Sequence, residues 1–256
     1  MEHDTASKAE PQPGPSLVKV KDSQLIGIVI AVLVIFITLV LLAIWRRQRS
    51  ARRGILLVGL SDSGKTLIFS RLLHSKYVLT HTSIKENIED LVLNNSSLRI
   101  VDIPGHERLR AKFFEQYKPI ARGIVFVIDS VTFQKDIRDV AEYLYTLLSE
   151  PSIKSNVTPF LVLCNKQDQT MAKGSKVIQA LLEKEMNLLR QTKSSQLESI
   201  NSAETTTHFL GKKGKDFEFA HLHPQRVEFA ESSACDKDTY KPAELNELKT
   251  WLQKIA

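Results

Sequence analysis

Gly59-Leu60-Ser61-Asp62-Ser63-Gly64-Lys65-Thr66 follows the apolar run Ile55-Leu56-Leu57-Val58 and opens a helical pattern over 65–73. A strand, a loop of spacing G-x-x-x-x-G-K-[ST] and a helix form a phosphate cradle. The glycines let backbone N–H groups turn inward, and the helix N-terminus behind them adds partial positive charge. Lys65 is placed to reach the β- and γ-phosphates of a nucleotide, and the Thr66 hydroxyl to bind Mg2+. The candidate phosphate contacts here are Gly59, Ser61, Asp62, Ser63, Gly64, Lys65, Thr66 and Leu67.

Outward from this loop, short apolar runs recur at 98–101, 124–128, 160–163 and 227–229. Such runs suit strands buried on both faces. Helical patterns fall at 136–148 and 175–189, where Val177, Ile178, Leu181, Leu182, Met186 and Leu189 keep one stripe. A last helix carries Leu245, Leu248, Trp251, Leu252 and Ile255, with Pro242 near its start. This alternation predicts an α/β domain over 54–256, with a mostly parallel sheet covered by helices on both faces. Residues 190–214, rich in Ser, Thr, Lys and Gln, read as a long flexible insertion. Phe217 and Phe219 read as resumed extended structure.

The formal charge of +6 is concentrated. Residues 1–22 hold four acids against three lysines, whereas 46–53 hold Arg46, Arg47, Arg49, Arg52 and Arg53. A local cluster is not a domain-wide basic field, so direct nucleic-acid binding is not expected. Cys164 and Cys235 are the only cysteines, too few for a disulfide framework, which points to a reducing compartment.

Leu25 to Trp45 is uncharged and dominated by Ile, Val and Leu. A helix of that length matches a bilayer's hydrocarbon core, about 30 Å, and Trp45 sits at the aromatic belt. The run is too long for a signal peptide, no A-x-A-like site follows, and its basic flank lies on the wrong side. The five arginines after it place that side in the cytosol. The expected organisation is a disordered lumenal tail over 1–22, a transmembrane helix over 23–45 and a basic linker over 46–53 at the lipid headgroups.

Downstream motifs choose the base. Asn165-Lys166-Gln167-Asp168 follows the 160–163 strand, where open α/β sheets bind ligands. A carboxylate accepts two hydrogen bonds at once, and guanine presents adjacent N1–H and N2–H donors where adenine does not. Asp168 therefore reads guanine, Asn165 belongs to the same site, and the Lys166 stem can lie over the base plane. A solvated turn is the plain alternative for these four residues. Asp102-Ile-Pro-Gly105-His106 follows the 98–101 strand. Asp102 is placed to hold Mg2+ through water, and the Gly105 amide to meet the γ-phosphate. Ser233-Ala234-Cys235 follows the 227–229 strand, so the Ala234 backbone can approach guanine O6. Thr82 and Ser83 offer hydroxyls to complete the magnesium shell, Thr82 foremost, although a plain loop threonine fits as well.

In this order the motifs resemble those of the small Ras-like GTPases over 54–256, and their spelling is most similar to the Arf and Sar branch. A spanning helix joined to such a domain, with GLSDSGKT, DIPGHE, CNKQD and GKKGKDFEF, resembles the family of signal recognition particle receptor beta subunits. The resemblance implies a Ras-like P-loop fold, bound GTP or GDP with Mg2+, and residence in the endoplasmic reticulum membrane as a single-pass protein. It also implies a heterodimer with the receptor's alpha subunit docked on the GTP-bound switch surface, and leaves contact with a translocon or ribosome open. Many relatives carry glutamine where this chain has His106, and Ras proteins carry glycine at Ser61. His106 is thus the candidate catalytic residue, either orienting a water or bonding locally, and both substitutions point to slow intrinsic hydrolysis. Three functions compete: a nucleotide switch subunit, a turnover Arf/Sar-like GTPase of vesicle trafficking, and an anchor with a permanent nucleotide.

Overall fold

The structure is a computed structural model describing residues 22–93, 96–199, 210–212, 214–235 and 243–256, with side chains at 27 and 29–42 of the first helix and up to Lys193 of the sixth. It divides into two units, 1–50 and 51–256. The described part of the first unit is helix α1 (Asp22–Ala51), whose last residue opens the second. Its described side chains, Gly27 and 29–42, are all exposed. The hydroxyl of Thr38 donates to Ile35 O at 2.8 Å, so it is satisfied within the helix. Among the described residues no helix is long and apolar enough to cross a membrane. The expected tail lies almost wholly outside the described residues.

The second unit is built on six strands: β1 (Gly54–Val58), β2 (Asn87–Leu93), β3 (Ser96–Asp102), β4 (Ala121–Asp129), β5 (Phe160–Asn165) and β6 (Val227–Glu231). Their spatial order is β2-β3-β1-β4-β5-β6. Every pairing is parallel except β2 with β3, which are antiparallel. The apolar runs are continuous because alternate side chains feed two cores. Leu56 and Val58, with Ile124, Phe126, Phe160 and Val162, join one. Ile55 and Leu57, with Val125, Val127, Leu161 and Leu163, join the other.

Helices α3 (Glu107–Tyr117), α4 (Phe133–Ser149), the short α5 (Pro151–Ser155) and α6 (Ser175–Ser199) supply the first core. Helices α2 (Lys65–His74) and α7 (Asn246–Ile255) supply the second. At Gly123 a Cβ would lie 2.9 Å from both Trp251 and Ile255, so only glycine lets α7 seat this closely on β4.

Three segments depart from the sequence reading. Strand β2, with only Leu91-Val92-Leu93 apolar at its end, is a solvated edge, and Ile88 and Val92 are exposed. Helix α6 continues to Ser199, so 190–199 is helical rather than loop. Arg190 is buried there, and its guanidinium donates to the carbonyls of Leu210 and Lys212 at 3.4 and 3.3 Å. Polar composition hid this because the side chain that anchors the segment is itself a cation. Phe217 and Phe219 do pack in the core, but Phe219–Leu222 forms a 3-10 turn instead of extended chain.

Candidate nucleotide-binding site

The loop between β1 and α2 lies at the carboxyl ends of the parallel strands. Gly64 takes a left-handed φ of 92°, and Asp62 one of 62°. No side chain caps α2, and no acid occupies its first turn. Its first N–H groups are therefore available to an anion. Lys65 is buried and donates to Leu60 O at 2.6 Å within its own loop. Burial pushes its ammonium down to about 8, while Asp102 and Asp62 oppose that shift. Such a cation lacks only a strong counter-charge, which a phosphate supplies. Ser61 and Asp62 are exposed at the rim, Ser63 is buried, and the half-buried Leu67 packs against the core.

Thr66 Oγ1 donates to Asp102 Oδ2 at 2.8 Å and meets Ser83 Oγ at 3.1 Å. Asn87 Nδ2, at the start of β2, donates to the same Asp102 oxygen at 2.9 Å. The other oxygen, Oδ1, is buried without a partner. Burial raises the Asp102 carboxyl above its ordinary value, against the bonds from Asn87 and Thr66. A divalent cation at Oδ1 reverses that balance, so the donor set fits Mg2+. Thr82 lines the same cleft as Ser61, Gly64, Ser83 and Gly105, but Ser83 is the hydroxyl that meets Thr66. Gly105 approaches the loop so closely that a Cβ would lie 2.5 Å from Ser61 N.

The 165–168 and 233–235 motifs converge from two strands. Asn165 Nδ2 donates to Ser63 O at 2.9 Å, bracing the phosphate loop, and receives Ser232 Oγ at Oδ1, 3.2 Å away. Asp168 Oδ1 accepts from Ser233 Oγ at 2.9 Å. Lys166 Nζ donates to Asp129 Oδ2 at 2.7 Å. Burial alone would raise the Asp129 carboxyl, but bonds from Lys166 and Val131 N hold it below its ordinary value. Ala234 is buried, and its carbonyl accepts from Arg71 Nε at 3.2 Å. Asn165 is thus tied to the phosphate loop, Lys166 to the end of β4 and Asp168 to the chain just after β6, so this is not a free turn.

The sequence matches the family described as signal recognition particle receptor beta subunit over residues 50–227. The chain belongs to this family. The signal recognition particle receptor subunit beta of Homo sapiens is 47% identical, across 92% of this chain and 88% of its own length. A solved structure of the mammalian SRP receptor is 45% identical, covers 80% of this chain and 100% of its own, and superposes with a TM-score of 0.68. An SRb-GTP/SRX complex from Chaetomium thermophilum, 18% identical over 78% of this chain and 99% of its own, shares the fold with a TM-score of 0.62.

In this member of the family His106 is exposed and caps α3, its Nδ1 accepting from Arg108 N at 3.3 Å. That bond requires an unprotonated Nδ1 and leaves Nε2 as the donor. The sequence reading missed Asn87 and Asp129. Asp129 ends an apolar strand at the ligand-binding edge, a signal that marks it. Asn87 opens an edge strand and carries no comparable mark.

Proposed function

We propose that this chain is the membrane-anchored, GTP-binding switch subunit of a signal recognition particle receptor. It docks the receptor's alpha subunit and serves targeting of ribosome–nascent chain complexes to the endoplasmic reticulum. The observation that carries the reading is the knot of Thr66, Asp102 and Ser83. It joins the phosphate loop, the 102–106 loop and the segment before β2 at one point. Mg2+ would be held by Thr66 and Asp102 with a hydroxyl from the 82–83 segment, and would neutralise phosphate charge. Gly59–Leu67 and Gly105 surround the phosphates. Asn165, Lys166, Asp168 and Ala234 hold guanine.

Loss of the γ-phosphate loosens one side of that knot, and order at Thr82 and Ser83 and over 102–116 changes with it. Next to the knot, Leu79 and Ile84 are 78% and 75% exposed, an apolar surface suited to a partner that binds the GTP state. The human relative's name, a receptor subunit, supports an alpha subunit as that partner. Exposed Val, Ile, Leu and Phe side chains along 29–42 support a span over 23–45, with 46–53 cytosolic and 1–22 lumenal. His106 serves as a cap, and hydrolysis without a partner is slow.

Competition binding on the detergent-solubilised full chain tests the site. GTP and GDP should displace a labelled guanine nucleotide at least ~10³-fold better than ATP. Asp168→Asn should invert this toward xanthine nucleotides, whose extra carbonyl accepts from the new amide. Equal affinity for ATP and GTP overturns the assignment. Partner capture that ignores whether GTP or GDP is loaded overturns the switch.

A further inference from the structure

At the end of the sheet opposite the nucleotide site lies a cavity of about 220 Å³, lined by Lys154, Leu210, Gly211, His221, Leu222, His223, Pro224 and Gln225. It is far larger than one water needs. Its walls are fastened from three directions. Arg190 holds Leu210 O, Glu183 Oε1 accepts from Phe219 N at 3.2 Å, and the buried Gln225 donates to Thr158 O at 3.3 Å. The space is therefore built into the fold.

Its polar lining is one-sided. Lys154, His221, His223 and Gln225 bring side-chain nitrogens, and no carboxylate among the described residues lines it. Burial alone lowers the Lys154 ammonium, with no acid opposing that shift. His221 Nδ1 is buried without a hydrogen-bond partner, while Nε2 lies 3.6 Å from Glu218. The Lys154 ammonium in this wall bears a desolvation cost that an entering anion offsets.

The chain enters this unit through Arg52 and Arg53, just before β1, at the same amino-terminal end of the parallel strands. β1 and β6 are separated by β4 and β5, so this entry point lies roughly 15 Å across the sheet from β6, at ~4.8 Å per strand. Two exposed or half-buried arginines and the cavity thus share one end of the sheet.

We infer that this cavity is a second ligand site, taking a phosphate ester whose oxygens are held by Lys154, His221 and His223. The ester is supplied either by a lipid headgroup at the bilayer surface or by a soluble phosphate monoester. Arg52 and Arg53 favour the headgroup, since they bring further cations to the same end.

The test uses the full chain in phosphatidylcholine nanodiscs, saturated with GDP and Mg2+ so that the phosphate loop is filled. Imidazole nitrogen shifts are followed while glycerol 3-phosphate is titrated, and separately while phosphatidylinositol replaces phosphatidylcholine. Saturable shifts of His221 and His223 are expected, with affinity weakened at least ~10-fold in Lys154→Ala, read on both rings, and in the double variant Lys154→Ala/His223→Ala, read on His221. Both variants should keep wild-type GDP affinity, which reports that they fold. Saturation by phosphatidylinositol but not by glycerol 3-phosphate assigns the headgroup, and the reverse assigns a soluble ester. Absence of saturable shifts with both probes overturns the site, as do shifts that persist unchanged in the double variant.

Discussion

His106 shows how one side chain can satisfy two readings that differ in mechanism. A residue after D-x-x-G can position a water, yet this imidazole spends Nδ1 on the first turn of α3. His106→Ala should therefore lower a slow single-turnover rate by less than about 10-fold while removing roughly 1 kcal/mol of helix cap. His106→Asn should restore the thermal midpoint but not alter the rate further. A loss of hydrolysis beyond a hundredfold in both variants, at unchanged stability, would mean that the ring positions water after all. Cys164 offers a second check at this scale. Burial, with Glu231 and Glu247 adding to it, pushes its thiol up to about 12. The folded state thus keeps this proton where an unfolded chain releases it, so the associated stability is whole below about pH 9. It drains away as pH climbs toward 12. Iodoacetamide at pH 9 should label half-buried Cys235 in the native protein and Cys164 only in urea. Equal labelling of both without denaturant contradicts the burial.

At the scale of elements, α6 and the chain after it stand or fall together. Arg190 reaches the carbonyls of Leu210, Lys212 and Lys215 and the Asn187 side chain, closing a loop that composition alone presents as loose. Arg190→Ala should cost about 2–4 kcal/mol in urea unfolding, because the buried Leu210 carbonyl and two part-buried ones lose their donor and the buried guanidinium leaves a gap. It should also open this region to limited proteolysis while GDP affinity holds. Arg190→Lys should recover only part, since an ammonium cannot span the same carbonyls. A midpoint unmoved by Arg190→Ala would show that the loop is held by other contacts. Strand β2 teaches the converse. Most of its residues are exposed, and pairing with β3 rather than apolarity makes it a strand.

For the molecule as a whole, topology is the decisive expectation. Asn156-Val157-Thr158 is an N-glycosylation sequon inside the second unit, and Asn94-Asn95-Ser96 is another, with Asn94 outside the described residues. A cytosolic domain leaves both bare. Protein from cells should show no mass shift on glycosidase treatment, and a shift would reverse the orientation argued from the five arginines. The sequence by itself determined what depends on near neighbours. G-x-x-x-x-G-K-T folds its own cradle, continuous apolar runs announce strands buried on both faces, and N-K-Q-D carries a carboxylate suited to guanine. Only the tertiary structure decided which distant groups meet. Asn87 joins Asp102, Ser83 rather than Thr82 reaches Thr66, Asn165 braces Ser63, and the basic cavity closes between α5, the Leu210 segment and the 3-10 turn. Local spacing is encoded by 1.5 or 3.3 Å steps along the chain, whereas these encounters follow from strand order and helix seating. Both are set by burying two cores at once.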